Sequence, residues 1–107
     1  MSGAFWTDAE VRRALGLEDG DPEVSYRKVS TDTRTIGSGD LFVALIGERF
    51  DAHTFLDLAR ASGATGAVIS DRSVHVPEGL TAYYVDDTLV ALGRLAASGI
   101  QSLLVEG

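Results

Sequence analysis

Residues 41–70 read LFVALIGERFDAHTFLDLARASGATGAVIS, and three segments within them decide the fold. LFVALI, Leu41 to Ile46, is an unbroken apolar run of strand length after the turn Gly37-Ser38-Gly39-Asp40. A run that does not alternate implies a strand covered on both faces, hence one in the middle of a sheet. Asp51 has the chemistry of a helix cap, Phe55, Leu58, Ala59 and Ser62 recur at helical spacing, and Gly63 ends the pattern. TGAVIS then supplies another short strand around Ala67 to Ile69. Strand, helix and strand in so few residues predict a right-handed parallel βαβ unit.

The flanks extend the same scheme. Upstream, Thr7 and Glu10 stand at capping-box spacing and Trp6 and Val11 at staple spacing. Val11, Ala14 and Leu15 mark the apolar face of that helix before Gly16 stops it. After the turn-rich LEDGDPE, VSYRKVS alternates as a half-buried strand with Val24, Tyr26 and Lys28 on one face. Downstream, LTAYYVD predicts a strand near Tyr83 to Val85. DTLVALGRLAAS predicts a helix capped by Asp87, with Leu89, Leu92 and Ala96 inward. The order α, β, β, α, β, β, α predicts a small layered α/β domain spanning 1–107, its sheet mostly parallel or mixed and flanked by helices.

At 107 residues, such a domain buries roughly 60–70% of its unfolded surface, enough for a core. With 45% hydrophobic residues and two prolines, the composition argues against disorder, and the absence of cysteine rules out disulfides and thiolate metal sites. The net charge of −7 and nine scattered basic residues argue against nucleic acid, which needs a clustered basic face. An anionic ligand must be met locally, by one or two arginines or by loop N–H groups. MSGAFWTDAEV lacks the form of a signal peptide, and no run approaches the roughly 18 apolar residues of a membrane span. The expectation is a soluble cytoplasmic protein without membrane insertion.

Ligands of parallel α/β sheets bind outside the carboxyl ends of the strands. That rule places TDTR, Thr31 to Arg34, and GERFDAH, Gly47 to His53, on one rim. Thr31 and Thr33 offer hydroxyls, Arg34 and Arg49 guanidinium forks for carboxylate or phosphate, and Phe50 a flat face. Asp32 and Thr33 are also ordinary turn formers and Asp51 an ordinary cap, and spacing alone does not choose between loop and ligand. His53 and His75 have no tight spacing to carboxylates, so no metal site is expected. Asp86-Asp87 reads more simply as a helix start than as a paired acid and base. The sequence contains no GxxxxGK[ST], no GxSxG and no dinucleotide fingerprint, and no catalytic residue is assigned.

Val29 to Ser70, VSTDTRTIGSGDLFVALIGERFDAHTFLDLARASGATGAVIS, resembles the N-terminal domain of the Mur ligases that extend the muramyl peptide. There D[ST]R, GDLFVAL.G...DGH.F and A...GA recur in this order. YYVDDTLVALGRLA looks like the MurF branch rather than the MurE branch. The resemblance implies a domain that recognises the uridine diphosphate end of UDP-N-acetylmuramoyl tripeptide for an ATP-dependent D-alanyl-D-alanine-adding ligase of peptidoglycan biosynthesis. By motif position, Thr31 and Thr33 match the uridine-contacting loop, with Asp32 and Arg34 shaping it. Glu48, Arg49 and Phe50 match the segment that closes over the nucleotide, and Asp51 and His53 belong to the same substrate-binding stretch. Ala52 stands where the family commonly has glycine, and Thr33 where it commonly has serine. The resemblance further implies that ATP and Mg use central and C-terminal domains outside these 107 residues, that this chain carries no cofactor, and that alone it is inactive. A MurE-type domain, or a noncatalytic module keeping the fold, is the alternative.

Overall fold

A computed structural model of the chain describes residues 6–17, 24–46 and 51–100. Four parallel strands form its sheet in the order β3-β4-β5-β6: Val29–Ser30, Leu41–Val43, Gly66–Ile69 and Thr81–Tyr84. LFVALI lies mid-sheet as its pattern predicts, although the strand proper stops at Val43. Side chains of successive strand residues point to opposite faces. Leu41, Val43 and Val68 accordingly enter one core with Val11, Leu15, Ala91 and Leu95, whereas Phe42, Ala67 and Ile69 enter a second with Leu56 and Ala59. The first core belongs to helices α1 (Asp8–Leu15) and α3 (Thr88–Ala97), the second to α2 (Leu56–Ser62). Helices on both faces of a parallel sheet make an α/β domain of three layers.

The N-terminal helix forms for the predicted reasons. Glu10 N–H donates to Thr7 Oγ1 at 3.2 Å, Thr7 N–H returns the bond to Glu10 Oε1 at 2.8 Å, and Gly16 closes the helix at φ +76°. Trp6–Thr7 also forms a short strand, β1, which pairs antiparallel with β2, Ser25–Tyr26. That pairing corrects the reading of VSYRKVS as one strand. The chain leaves β1 at Arg27, whose N–H turns to Gly39 O at 3.0 Å, and β3 then joins β4. Tyr26 and Val29 enter the same core three residues apart, which an unbroken strand of period two forbids. Lys28, read as a strand-face residue, pairs with the buried Asp40 and donates to Thr35 O at 2.9 Å. Residues 18–23 of the predicted turn lie outside the described residues.

The predicted α3 face is displaced by one residue, and the predicted α2 face keeps Ala59 inward but turns Phe55 and Leu58 outward. A 3-10 turn, Ala52–Phe55, precedes α2, and Asp51 caps that turn rather than the α-helix. Leu56 and Ala59 face inward, while Phe55 and Leu58 are 41% and 51% exposed. Both pairs have i, i+3 spacing, so periodicity could not separate them; the tighter turn in front sets the phase. On α3, Asp87 caps as expected, its Oδ1 accepting from Leu89 N–H at 2.9 Å. The buried stripe is Thr88, Ala91 and Leu95, with Leu92 packed at its margin and Leu89 and Ala96 exposed. The β6 strand starts at Thr81 and ends at Tyr84, and Val85 N–H still donates to Ile69 O at 2.9 Å.

A polar chain ties α1 to the sheet. Arg12 Nε donates to Asp8 Oδ2 at 2.9 Å, and the Tyr83 hydroxyl donates to Asp8 Oδ1. Its single proton so spent, Tyr83 Oη accepts from the Tyr26 hydroxyl at 2.7 Å. Burial, and then the bond to Asp8, raises the Tyr83 pKa well above that of a free phenol. The chain needs a glycine beside it: a Cβ on Gly66 would stand 2.3 Å from Tyr26 Oη.

Candidate ligand site at the carboxyl edge of the sheet

TDTR leaves the carboxyl end of β3 as a self-organised turn. Asp32 Oδ1 accepts from Arg34 N–H at 2.9 Å and caps the 3-10 turn Thr33–Thr35, while Thr35 Oγ1 donates back to Asp32 O at 3.0 Å. The Arg34 guanidinium forks the Asp32 carboxylate, Nε at 3.0 and 3.1 Å and the terminal nitrogen at 2.7 Å. That fork, helped by the Arg34 N–H, holds the Asp32 carboxyl down at about 2. Thr31 and Thr33 have no hydrogen-bond partner for their hydroxyls among the described residues.

Those two threonines and Asp32 line a groove of about 330 Å3 whose other wall is Phe42, Leu45, Ala52 and Phe55. The two loops flanking LFVALI therefore meet, as the rim argument predicts. Ala52, Leu45 and Phe55 were not singled out from sequence as site residues. The signal existed in Phe55, but its helical spacing had assigned it to the core. Half-exposed at the end of the 3-10 turn, it lines the groove with a flat apolar side chain. Glu48, Arg49 and Phe50 lie outside the described residues.

Asp51 and His53 lie together, and their groups are spent on each other and on the neighbouring strand. Asp51 Oδ1 accepts from His53 N–H at 2.9 Å and faces His53 Nδ1 at 2.6 Å. His53 Nε2 accepts from Ser70 N–H at 3.0 Å and Asp71 N–H at 3.3 Å, just past the end of β5. An acceptor at Nε2 makes this the tautomer protonated on Nδ1, which donates to Asp51. The ring is buried and ties the segment after LFVALI to the exit of β5. The His53 N–H, foremost, lowers the Asp51 pKa. His75 is exposed in the loop before β6, and among the described residues no three His, Asp or Glu side chains gather as a metal site.

Comparison with known proteins finds the chain similar to Mur ligases in sequence and in fold. No family model matches the chain. It is 42% identical over 92 residues to the UDP-N-acetylmuramoyl-tripeptide--D-alanyl-D-alanine ligase of Synechocystis, covering 85% of this chain and 20% of that protein. It is 48% identical over 75 residues to the Escherichia coli ligase of the same name, covering 70% and 16%. A UDP-N-acetylmuramoyl-L-alanyl-D-glutamate--2,6-diaminopimelate ligase of Geobacter metallireducens matches at 43% over 67 residues, covering 63% and 13%. In fold, a MurF crystal structure from Acinetobacter baumannii superposes with a TM-score of 0.76 at 34% identity, over 89% of this chain and 21% of that one. MurF from Thermotoga maritima, solved in complex with ADP, gives 0.55 at 29%, over 64% and 16%. The chain thus spans about a fifth or less of these relatives, and the proteins it is similar to are MurF ligases, with MurE-type ligases also among the matches.

Proposed function

We propose that this chain is the substrate-recognition domain of a ligase that adds D-alanyl-D-alanine to UDP-N-acetylmuramoyl tripeptide in cytoplasmic peptidoglycan biosynthesis. It holds the uridine diphosphate end, and the chemistry lies elsewhere in the enzyme. The observation that carries the reading is the groove, lined by Thr31 and Thr33, whose hydroxyls have no partner among the described residues, and by the flat side chain of Phe55. Hydroxyls hydrogen-bond the polar edge of a uracil or a ribose, and an exposed aromatic covers its face. Names of relatives at 42% and 48% identity support the same substrate. Glu48, Arg49 and Phe50 are proposed to close over the nucleotide, with Arg49 reaching the diphosphate as a guanidinium fork.

ATP and Mg do not fit the residues present. The sequence has no phosphate-cradling GxxxxGK[ST], and the described residues offer no acidic cluster for a metal. This chain alone is therefore expected to bind and not to turn over. Among the described residues no helix is long and apolar enough to cross a membrane.

Titration of the purified chain with UDP, and separately with UDP-N-acetylmuramoyl tripeptide, tests the reading through backbone amide shifts. Shifts gathered on Thr31 to Arg34 and Ala52 to Phe55 are expected. Thr33→Val should weaken both ligands by about tenfold, the scale of one lost hydrogen bond to a charged or strongly polar partner, with unfolding unchanged. Amides that stay in place at about millimolar ligand, a weak-binding limit, would sink the assignment. The MurE-type reading is favoured by the Geobacter match; it predicts that the muramoyl dipeptide binds as tightly as the tripeptide.

A further inference from the structure

A second cleft, of about 490 Å3, opens at the carboxyl end of β6, where Tyr84, Val85 and the start of α3 meet the end of α1. Two arginines line it, Arg72 from the loop after β5 and Arg94 from α3. Neither has an ion pair or hydrogen bond among the described residues, in a chain with 16 acidic and nine basic side chains. Arg72 is nevertheless held: its guanidinium carbon lies 4.8 Å from the centre of the Tyr84 ring. Stacking fixes the plane of the guanidinium and leaves its edge N–H donors free, the arrangement that forks a carboxylate. Of the acids on this rim, Asp87 is spent on the cap of α3 and Asp86 is exposed. Arg72 and Arg94 thus provide the pull for an anion, and Asp86 marks the side it avoids.

The two clefts lie on one edge. The groove is walled by Phe42 of β4 and the cleft by Tyr84 of β6, with β5 between them. The groove is walled from the α2 side and the cleft from the α1 and α3 side, so a ligand that reaches both passes around the carboxyl end of β5, two strand spacings or about 10 Å across in the plane of the sheet, with its diphosphate and sugar between nucleotide and peptide. The link between them is rigid, because His53 beside the groove accepts from Ser70 and Asp71, the two residues before Arg72.

We propose that the cleft beside Tyr84 is an anion subsite for the carboxylates of the peptide arm of the same ligand, with Arg72 as the contact. The proposal rests on the UDP-muramoyl-peptide reading above. One ligand then lies across the carboxyl edge, its nucleotide at β3 and β4 and its acidic peptide at β6.

Calorimetric titration of the wild type, Arg72→Ala and Thr33→Val with UDP and with UDP-N-acetylmuramoyl tripeptide separates the possibilities. Arg72→Ala should weaken the tripeptide ligand about tenfold, as for one lost charge-assisted contact, and leave UDP unchanged. Arg72→Lys should recover only part of the loss, since an ammonium keeps the charge without the planar fork. If Arg72→Ala leaves both ligands unchanged while Thr33→Val weakens both, the subsite is overturned and the nucleotide reading stands. If Arg72→Ala weakens UDP alone equally, the cleft serves the diphosphate and the proposal is likewise overturned. A wild type that binds neither ligand overturns both readings.

Discussion

Asp8–Arg12 and Asp32–Arg34 are the same two side chains at nearly the same distance, 2.9 Å and 2.7 Å, in two different roles. In the first pair the carboxylate is fully buried, and its second oxygen holds the Tyr83 hydroxyl. In the second, the aspartate is 39% and the arginine 87% exposed. The contact does not distinguish a fold-holding pair from a ligand-facing one; what surrounds it does. Without Asp8 a hydroxyl and a guanidinium are stranded beneath α1, whereas without Asp32 a turn loses one cap and water replaces the rest.

The largest effect expected from this contrast is at the buried pair. Asp8→Ala should cost about 3 kcal/mol, the usual range for removing one partner of a buried pair, read as a lower urea midpoint at unchanged slope. Asp32→Ala in the same assay should leave the midpoint where it is. Equal losses in the two variants would break the comparison, because Asp32 would then be holding the fold.

A middle case is His53, a buried ring that serves the rim from below. His53→Ala strands the Ser70 and Asp71 N–H groups and should cost about 2 kcal/mol. His75→Ala, in the exposed loop, should stay within about 0.5 kcal/mol. Both histidines looked alike in sequence, so equal melting temperatures for the two variants would contradict the hydrogen bonds drawn to Nε2.

Local chemistry made much of this legible. The capping box at Thr7 and Glu10, the cap at Asp87 and the apolar LFVALI each depend on neighbours within a few residues, and each appears where the sequence places it. What failed depends on distant partners. VSYRKVS alternates well but divides into β2, which pairs with β1, and β3, which pairs with β4, a choice made by partners distant in sequence. The helix faces at Phe55 and Leu89 slipped by one position because two adjacent stripes had equal periodicity, and the sheet beneath, with the 3-10 turn before α2, selects between them. On the rim, TDTR and the DAH segment were legible as loops that meet. Phe55 was not, because a residue at helical spacing reads as core until a 3-10 turn carries it to the surface.

The smallest effect tests the exposed pair itself. The Asp32 carboxyl sits at about 2 in the folded chain, against about 3.9 for a free aspartate. Because the folded value is depressed, its contribution is present above about pH 4 and is lost as pH falls through about 2. The pair is open to solvent and screened by salt, so no measurable change in unfolding should accompany it. The change belongs in the carboxyl carbon shift of Asp32, which should titrate near 2 at low ionic strength and move toward the free value in Arg34→Ala or in concentrated salt. A wild-type midpoint already at the free value would mean that the fork opens in solution. Arg34 would then join Thr31 and Thr33 as a group free to meet a phosphate, and the contrast with Asp8 would sharpen from a difference in burial to a difference in occupancy.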